Sequence, residues 1–360
     1  MKSSSAAFLG LAIILMSNTA HAKSSPDQDS LSSYRFEPLD TAVREAFKEG
    51  RPAPHVLTEH ASGYRAWCNS VIKGADGKYH AYYARWPVKN GFNAWLTDCE
   101  VAHGVSDKPE GPFIYQSTVL ASANPEGWDV MNAHNPYALV ADGKVVLYYI
   151  SNDLREKLAK SPDGKLPRDE IRNSQVTGVA IADRPEGPFK RSERPAVVPH
   201  GRFKNIAVNP AVIYRNGEYL MIIKSDDVEK EKWHRIQLVG RSKNPEGPFT
   251  FMDEPVYAQR QTEDACLWFD QTTGLHNMVC HVMGAPDLAW FVSEDGDKWR
   301  RADQPVFMKK EFAMADGTVW KPDRVERPFV LTDELGRPEW FYVAIKEGDI
   351  EGNIALRIHR

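Results

Sequence analysis

Asp107-Lys108-Pro109-Glu110-Gly111-Pro112-Phe113 recurs twice along the chain, as Asp-Arg-Pro-Glu-Gly-Pro-Phe at 183–189 and as Lys-Asn-Pro-Glu-Gly-Pro-Phe at 243–249. A looser fourth copy is Ser-Glu-Asp-Gly-Asp-Lys-Trp at 293–299. Repeats spaced by about 50 to 75 residues indicate a modular architecture, in which each unit buries its apolar face against the next.

The residues upstream of the copies alternate between apolar runs and tight turns. Asp76-Gly77, Asp142-Gly143 and Asn216-Gly217 each separate two β-rich runs. These dipeptides favour β-hairpins, because both central residues of a type I′ turn need positive φ. Each unit is therefore predicted to be a hairpin and a third strand, followed by a Pro-Glu-Gly-Pro turn at the outer edge, where proline is tolerated. Four-stranded units in series are typical of a β-propeller.

The number of units predicts an all-β fold, a five-bladed β-propeller with a short N-terminal helix. We expect a fifth blade to begin near Trp320 and to end with a strand at 353–359, with a segment near 34–36 or Val56 completing the ring. Asp40 or Thr41 can cap the helix, which is predicted over 42–48. The first four blades are expected at 64–118, 131–199, 205–258 and 263–308.

The N-terminal residues predict export. Residues 1–22 have the pattern of a signal peptide, with Lys2, an apolar stretch at 6–16 and cleavage after Ala22. The apolar stretch is too short for a stable membrane span, so we expect a periplasmic or secreted protein. Residues 23–33 are polar and predict a disordered linker, and 34–360 is expected to be the catalytic propeller domain.

The composition is that of an ordinary globular protein. The chain is 42% hydrophobic and 26% charged, and its net charge of −4 argues against a nucleic-acid partner. Two segments of the chain are rich in charged residues. Residues 153–175 interrupt blade two and form either a functional lid or a solvated loop. Residues 226–232 are predicted to form a solvated turn.

The four cysteines divide into two pairs. Cys266 and Cys280 fall on opposed positions of the fourth hairpin, which makes a cross-strand disulfide feasible in an oxidising compartment. Cys68 and Cys99 belong to first and third strands, which are not neighbours. We expect these two to be free and buried.

The first strand of each blade lines the central channel of a propeller, so polar residues at the starts of these strands converge. Carboxylates concentrate on blades four and five, with His and Asn on the blades opposite. The candidate channel-lining residues at the starts of these strands are Trp67, Cys68, Asn69, His134, Asn135, Asn205, Asn209, Glu263, Asp264, Glu326 and Arg327.

With five blades and a Gly-Pro-Phe phrase, the chain resembles the family 43 glycoside hydrolases and their relatives in families 32, 62, 68 and 117. The resemblance implies a general-acid Glu on blade four, which matches Glu263. It also implies a general-base Asp on blade one and an Asp on blade three that tunes the pKa of the acid. These positions hold Cys68 or Asn69, and Asn209, none of which replaces a carboxylate base.

The chain is more similar to an outlying branch of these proteins. The branch is marked by Glu-Asp near Leu-Trp, by a histidine in the second strand of blade four, and by Glu-Arg-Pro in blade five. Here these are residues 263–268, His281 and residues 326–328.

Glycoside hydrolysis needs two carboxyl groups, about 5 Å apart for retention of configuration and about 6.5–9.5 Å apart for inversion. As the acid, Glu263 needs a pKa raised by burial or by a carboxylate such as Asp264. Its partner is Asp264, Glu326 or Asp129. Successive strand residues face opposite ways, so Glu263 and Asp264 both point into the channel only if the strand bulges, which favours Glu326 or Asp129.

The remaining candidates are predicted to bind substrate. Arg327 can clamp a uronate carboxylate or a sulfate bidentately. The alternatives are an inter-blade salt bridge for Glu326-Arg327 and a core position for His281. The other predicted substrate-binding residues are Trp67, Asn69, Asn135, Asn209 and Lys224, with His134 as a further catalytic candidate.

The prediction is thus an exported, exo-acting glycoside hydrolase of an oligosaccharide, acidic or sulfated, without a cofactor or a metal. One alternative is a polysaccharide lyase in which His134 or another base in the pocket removes the proton and Arg327 neutralises a uronate. The other is a propeller that binds glycan without catalysis.

Overall fold

The structure is a computed structural model that describes Met1 and residues 34–122 and 124–359. The described residues form five antiparallel blades around a central axis and one separate two-stranded ribbon, so the predicted five-bladed β-propeller is confirmed. The predicted signal peptide and linker lie outside the described residues, apart from Met1.

The chain enters through two short strands and one helix. These are β1 (Arg35–Phe36), α1 (Thr41–Lys48) and β2 (Val56–Leu57). Blade one follows with β3 (Tyr64–Lys73), β4 (Tyr79–Pro87), β5 (Glu100–Ser106) and β6 (Ile114–Leu120). Blade two contains β7 (His134–Ala141), β8 (Lys144–Ser151), β9 (Val176–Ala182) and β10 (Lys190–Arg191).

The later blades repeat the arrangement. Blade three contains β11 (Val208–Arg215), β12 (Glu218–Asp226), β13 (Arg235–Ser242) and β14 (Thr250–Phe251). Blade four contains β15 (Thr262–Asp270), β16 (Leu275–Val282), β17 (Asp287–Ser293) and β18 (Arg300–Lys309). A ribbon of β19 (Phe312–Ala313) and β20 (Val319–Trp320) precedes blade five, which contains β21 (Arg324–Thr332), β22 (Pro338–Glu347) and β23 (Ile350–His359). Blade five thus begins slightly later than predicted, because Trp320 belongs to the ribbon.

Short helices occur in the connections. The insertion in blade two forms α2 (Arg155–Lys160) and α3 (Arg168–Arg172). Three 3₁₀ segments are His60–Ser62, Val88–Asn90 and Phe92–Leu96. Among the described residues, every helix is too short or too polar to cross a membrane.

All three predicted hairpins form, but only the second and third have the predicted type I′ turn. In the first, Gly77 has positive φ (80°) and Asp76 does not, and residues 74–78 form a longer loop. Asp142 and Gly143 have φ of 48° and 73°, and Asn216 and Gly217 have φ of 53° and 72°. Positive φ at both central residues is the conformation that a type I′ turn requires. The sequence therefore determines these turns locally.

The repeated Pro-Glu-Gly-Pro-Phe phrase joins neighbouring blades. A tyrosine on the second strand of one blade donates its hydroxyl hydrogen to the proline carbonyl in the phrase of the next blade. The three bonds are Tyr82 to Pro185 (2.6 Å), Tyr148 to Pro245 (2.9 Å) and Tyr342 to Pro109 (2.7 Å). Each tyrosine is almost fully buried, and burial raises its pKa, so the hydroxyl stays protonated as a donor.

The two ends of the chain complete blade five together. Both β1 and β2 pair with β23, with Arg35 opposite His359 and Val56 opposite Ile354. Both predicted closing segments are therefore used. Helix α1 is capped by Asp40, whose carboxylate accepts from the amide of Ala42 at 2.8 Å, and it buries Phe47 against Trp320.

The disulfide between Cys266 and Cys280 that the sequence makes feasible does not form. All four cysteines are free and buried, as predicted for Cys68 and Cys99. The hairpin closes with Asp270 opposite Leu275, and this register places Val279, not Cys280, opposite Cys266. Cys280 is one position away and faces the other side of the sheet, so the two sulfur atoms do not meet.

Candidate active site

Each innermost strand contains a β-bulge at the same point. The register shifts fall between Trp67 and Ser70, His134 and Tyr137, Val208 and Ala211, Glu263 and Cys266, and Glu326 and Phe329. Each bulge contains one residue with positive φ, namely Cys68 (44°), Asn135 (49°), Asn209 (54°), Asp264 (59°) and Arg327 (56°). A bulge re-aims side chains locally, so two successive residues can face the channel.

The five bulge residues form a closed hydrogen-bonded circuit, which we call the basal ring. The Cys68 thiol donates to Asn135 Oδ1 (3.1 Å), Asn135 Nδ2 to Asn209 Oδ1 (2.9 Å), and Asn209 Nδ2 to Asp264 Oδ1 (2.7 Å). Arg327 Nη1 donates to the same Asp264 oxygen (2.8 Å), and its guanidinium also hydrogen-bonds to Cys68. One residue from every blade is included, so the ring lies across the channel.

A cavity of about 550 Å³ adjoins the basal ring, and Glu263 is one of its two central carboxylates. Glu263 Oε2 accepts from Lys224 Nζ at 2.9 Å and lies 3.1 Å from Arg235 Nε. Its side chain is only 13% exposed. Two cations therefore balance its negative charge within a largely buried site.

Glu326 is the second central carboxylate, and its surroundings favour the protonated form rather than the anion. Burial raises its pKa to about 7, and the negative charges of Asp264 and Glu263 act in the same direction. Arg324 and Lys310 partly oppose the shift. A carboxyl group with this pKa holds its proton near neutral pH, as a general acid must.

His134 is buried at the cavity wall. Burial lowers its pKa to about 3, so the ring is neutral at neutral pH. Its Nε2 lies 2.7 Å from Gln175 Nε2 and so accepts that amide proton. A neutral histidine whose lone pair is already occupied is a poor proton acceptor.

Three segments outside the innermost strands form the mouth of the cavity. They are the 3₁₀ helix Phe92–Leu96, helix α3, and the loop that carries Trp233. The Trp233 ring lies between the guanidinium groups of Arg172 (4.5 Å) and Arg235 (4.2 Å). Helix α3 of the insertion in blade two therefore contributes to the site.

Nine of the twelve predicted site residues line this cavity among the described residues. The structure brings together both central carboxylates, with cations and amides around them. The nine are Trp67, His134, Asn135, Asn209, Lys224, Glu263, Asp264, Glu326 and Arg327.

Asp129 does not reach the cavity, so the structure corrects its proposed role as catalytic partner. Its carboxylate accepts from the Tyr149 hydroxyl and from Asn124 Nδ2, both at 2.7 Å, and it pairs with Arg191. These contacts fix it within blade two. Glu326, another of the predicted partners, lines the cavity.

Asn69 and His281 also lie outside the cavity lining. The backbone N–H of Asn69 donates to Asn353 Oδ1 of blade five at 3.1 Å. His281 is paired opposite Glu263 across the strands, with its Nδ1 3.9 Å from Glu263 Oε1. Burial lowers its pKa, so His281 is a neutral neighbour of Glu263 rather than a contact for substrate.

The expectation that Arg327 clamps an anionic substrate is also weakened. Its side chain is 10% exposed, and it is bound to Asp264 and Cys68. Asp264, the other half of this buried ion pair, faces the cavity because of the bulge.

Glu263, Asp264 and His281 are close enough to hold a metal ion, with potential ligand atoms within 4.8 Å of one another. However, Lys224 and Arg235 already bind Glu263, and Arg327 binds Asp264. A cation would enter against three positive side chains. The donor set therefore does not fit a metal ion.

Sequence reasoning missed the mouth of the cavity. The segment 226–232 is not a simple solvated turn, because Asp226 is fully buried, pairs with Arg172 and accepts from Trp233 Nε1. Arg235 lies just beyond this charge run and contacts Glu263. The signal available was a tryptophan among the charges, in Lys232-Trp233-His234-Arg235.

Several glycoside hydrolases of known structure share this five-bladed propeller fold at low sequence identity. A family 117 glycoside hydrolase from the marine bacterium Zobellia galactanivorans superposes with a TM-score of 0.60 at 16% identity, over 91% of this chain and 90% of that one. An endo-arabinase from Bacteroides thetaiotaomicron gives 0.53 at 11% identity, over 82% and 95%.

A family 43 enzyme from Xanthomonas citri gives a TM-score of 0.55 at 13% identity, over 86% of this chain and 92% of that one. No protein-family model matches the chain, and neither does any curated protein. The resemblance to family 43 and its relatives is thus confirmed at the level of the fold.

Proposed function

We propose that the protein is a glycoside hydrolase that acts on an oligosaccharide. The observation that carries the proposal is the pair Glu263 and Glu326, two carboxyl groups in one enclosed cavity with opposite electrostatic environments. Such a pair is the requirement of glycoside hydrolysis, in which one group donates a proton and the other acts as an anion. The fold, shared with several glycoside hydrolases, supports the same class.

The electrostatics favour Glu326 as the general acid. Its pKa near 7 provides the proton for the leaving oxygen. Glu263, held by Lys224 and Arg235, is then the carboxylate that activates water or attacks the anomeric carbon. The resemblance to family 43 implies instead that Glu263 is the general acid. That assignment stays a prediction, and variants of the two residues distinguish the two assignments.

Exo action is supported by the shape of the cavity. The basal ring closes its inner end, and the mouth is narrowed by α3, Trp233 and the 3₁₀ helix Phe92–Leu96. A pocket closed at one end accepts a chain terminus more easily than the middle of a polymer. Export through the pattern at residues 1–22 is part of the same proposal, since oligosaccharides are abundant outside the cell membrane.

The experiment is hydrolysis of a panel of neutral, uronate and sulfated oligosaccharides, with reducing ends and ultraviolet absorbance followed together. A hydrolase produces reducing ends without absorbance. A lyase, in which His134 would be the base, produces both, because β-elimination leaves an unsaturated sugar. Binding without new reducing ends would identify a glycan-binding propeller and refute the hydrolase.

Two variants assign the roles. Glu326→Ala should keep activity toward a glycoside with a strongly acidic leaving group, since that group departs without protonation. Glu263→Ala should lose activity toward both substrate types, and added azide should restore turnover if Glu263 is a nucleophile. The opposite pattern would make Glu263 the acid.

A further inference from the structure

The mouth of the cavity carries two arginines that face aromatic rings of a single segment. Arg168, on α3, lies 5.6 Å from the Trp95 ring, and Arg324, at the start of β21, lies 5.4 Å from the Phe92 ring. Trp95 and Phe92 belong to the same 3₁₀ helix, Phe92–Leu96. The two guanidinium groups therefore border one aromatic wall from two different blades.

These arginines are less engaged by carboxylates than the other arginines of the cavity, and Lys204, a further cation of the lining, donates to the carbonyls of Lys230 and Glu231. Lys224 and Arg235 bind Glu263, Arg327 binds Asp264, and Arg172 binds Asp226. Within the described part of the chain, Arg168 has no carboxylate partner, and Arg324 reaches Glu326 only at 3.7 Å. Both side chains are exposed to solvent.

We propose that Arg168 and Arg324 form a subsite for an oxyanion, a carboxylate or a sulfate ester, carried by the sugar next to the scissile bond. The proposal rests on the proposed function and specifies its substrate class. A guanidinium that lies near an aromatic ring, without a carboxylate bound across its edge, keeps N–H groups free, and these groups match two oxygens of an anion.

The position of Arg324 relates the subsite to the reaction centre. Arg324 and Glu326 are two residues apart on β21, so their side chains leave the same face of the strand, and the guanidinium lies 3.7 Å from the Glu326 carboxyl group. An anion bound by Arg324 lies beside Glu326. The anion therefore belongs to a sugar that adjoins the bond to which Glu326 donates its proton.

Opposite charges at the mouth do not cancel the subsite. Asp169 follows Arg168 on α3 and also lines the cavity, but the two side chains form no ion pair in the described part of the chain, because adjacent positions of a helix do not face each other. Glu231 lies with Trp233, whereas both arginines lie over the 3₁₀ helix.

The test measures binding to a Glu326→Gln background by calorimetry, so that hydrolysis does not interfere. The ligands are a uronate oligosaccharide with its carboxyl-reduced counterpart, and a sulfated oligosaccharide with its desulfated counterpart. We expect at least one acidic ligand to bind about tenfold more tightly than its neutral counterpart, since charge-assisted hydrogen bonds are the stronger ones. The pair that shows the difference identifies the anion as carboxylate or sulfate.

Arg324→Gln and Arg168→Gln should each reduce this preference and leave affinity for the neutral ligand within about threefold, because the lost contacts are to the anion. The matched control is Arg155→Gln, an exposed arginine of the same insertion that pairs with Asp153 and lies outside the cavity. Equal binding of acidic and neutral partners, or equal loss of both in the arginine variants, would overturn the proposal.

A second readout follows from the charge of Arg324, which lowers the pKa of Glu326. Asp264, Glu263 and Lys310 also act on Glu326 and are unchanged in the variant. Arg324→Gln should therefore shift the basic limb of the pH profile upward with a neutral substrate. Hydrolysis of neutral sugars without any preference for acidic ligands would reject the subsite and keep the hydrolase. Tighter binding of acidic ligands without hydrolysis would keep the subsite and reject the hydrolase.

Discussion

Replacing Glu326 by Gln should make the stability of the protein less sensitive to alkaline pH. The folded protein raises the pKa of Glu326 from 4.5 to about 7, chiefly by burial. A carboxyl group whose folded pKa is raised holds its proton more tightly in the folded state than in the unfolded state. The stability that this proton gives is complete below pH 4.5 and is lost as pH rises through 7. Gln does not ionise, so the stability of the variant does not decrease in this way as pH rises.

The magnitude follows from the same pKa. The difference between 4.5 and about 7 is worth at most about 3 kcal/mol, at 1.36 kcal/mol for each pKa unit. Because 26% of the Glu326 side chain remains exposed, solvent screens part of this. We therefore expect the free energy of unfolding of Glu326→Gln, relative to the wild type, to increase by about 2 kcal/mol between pH 4.5 and pH 8.

Urea denaturation of both proteins at several pH values measures this difference directly. Glu100→Gln is a suitable control, since Glu100 lies outside the cavity and binds Arg85. The reasoning is refuted if the difference between variant and wild type is flat with pH, or if the variant becomes relatively less stable as pH rises. Either result would mean that Glu326 is ionised at neutral pH and is not the acid.

Four further predictions concern activity and stability. The basic limb of the pH–activity profile should lie near pH 7, and Lys310→Met should move it upward, because the Lys310 charge lowers the pKa of Glu326; an unmoved limb would exclude Glu326 as the group observed. Lys224→Met should reduce kcat by about 10²-fold without unfolding the protein, since a contact to a catalytic carboxylate is lost; unchanged single-turnover kinetics would contradict a role for Glu263. Tyr342→Phe should lower the free energy of unfolding by about 1 kcal/mol through loss of the bond to Pro109, against little change for the exposed Tyr115→Phe. Thiol titration of the denatured, unreduced protein should detect all four cysteines, and a reductant should leave the melting temperature unchanged.

The architecture could be predicted because its signals are local. Asp142-Gly143 and Asn216-Gly217 determine type I′ turns through their own backbone preferences. The phrase around Pro109 repeats because each copy receives a tyrosine from the preceding blade, as Tyr342 shows. Such contacts recur with the repeat, so their sequence recurs as well.

The site was harder to predict because it depends on register. The bulge at Asp264 adds one residue to β15, which allows Glu263 and Asp264 to face the channel together. The register set by the turn of the same hairpin places Val279, not Cys280, opposite Cys266. A signal was present, since proline follows the bulge residue in Asn135-Pro136, Asn209-Pro210 and Arg327-Pro328. The residues of the mouth carry no such signal, because Trp233 and Arg168 belong to connections between strands that do not repeat along the chain.

The pairing of β1 with β23 has a consequence for how the molecule acquires its structure. Arg35 lies opposite His359, near the two ends of the described chain, so the sheet of blade five joins residues more than 300 positions apart in sequence. Contacts of such long range are slow to form, because a large loop must close before they are gained. During synthesis the first four blades can form in order, but the ring closes only after the last strand has been released. Arg327, which completes the basal ring, is also made late, so the cavity becomes functional at the end of folding rather than gradually.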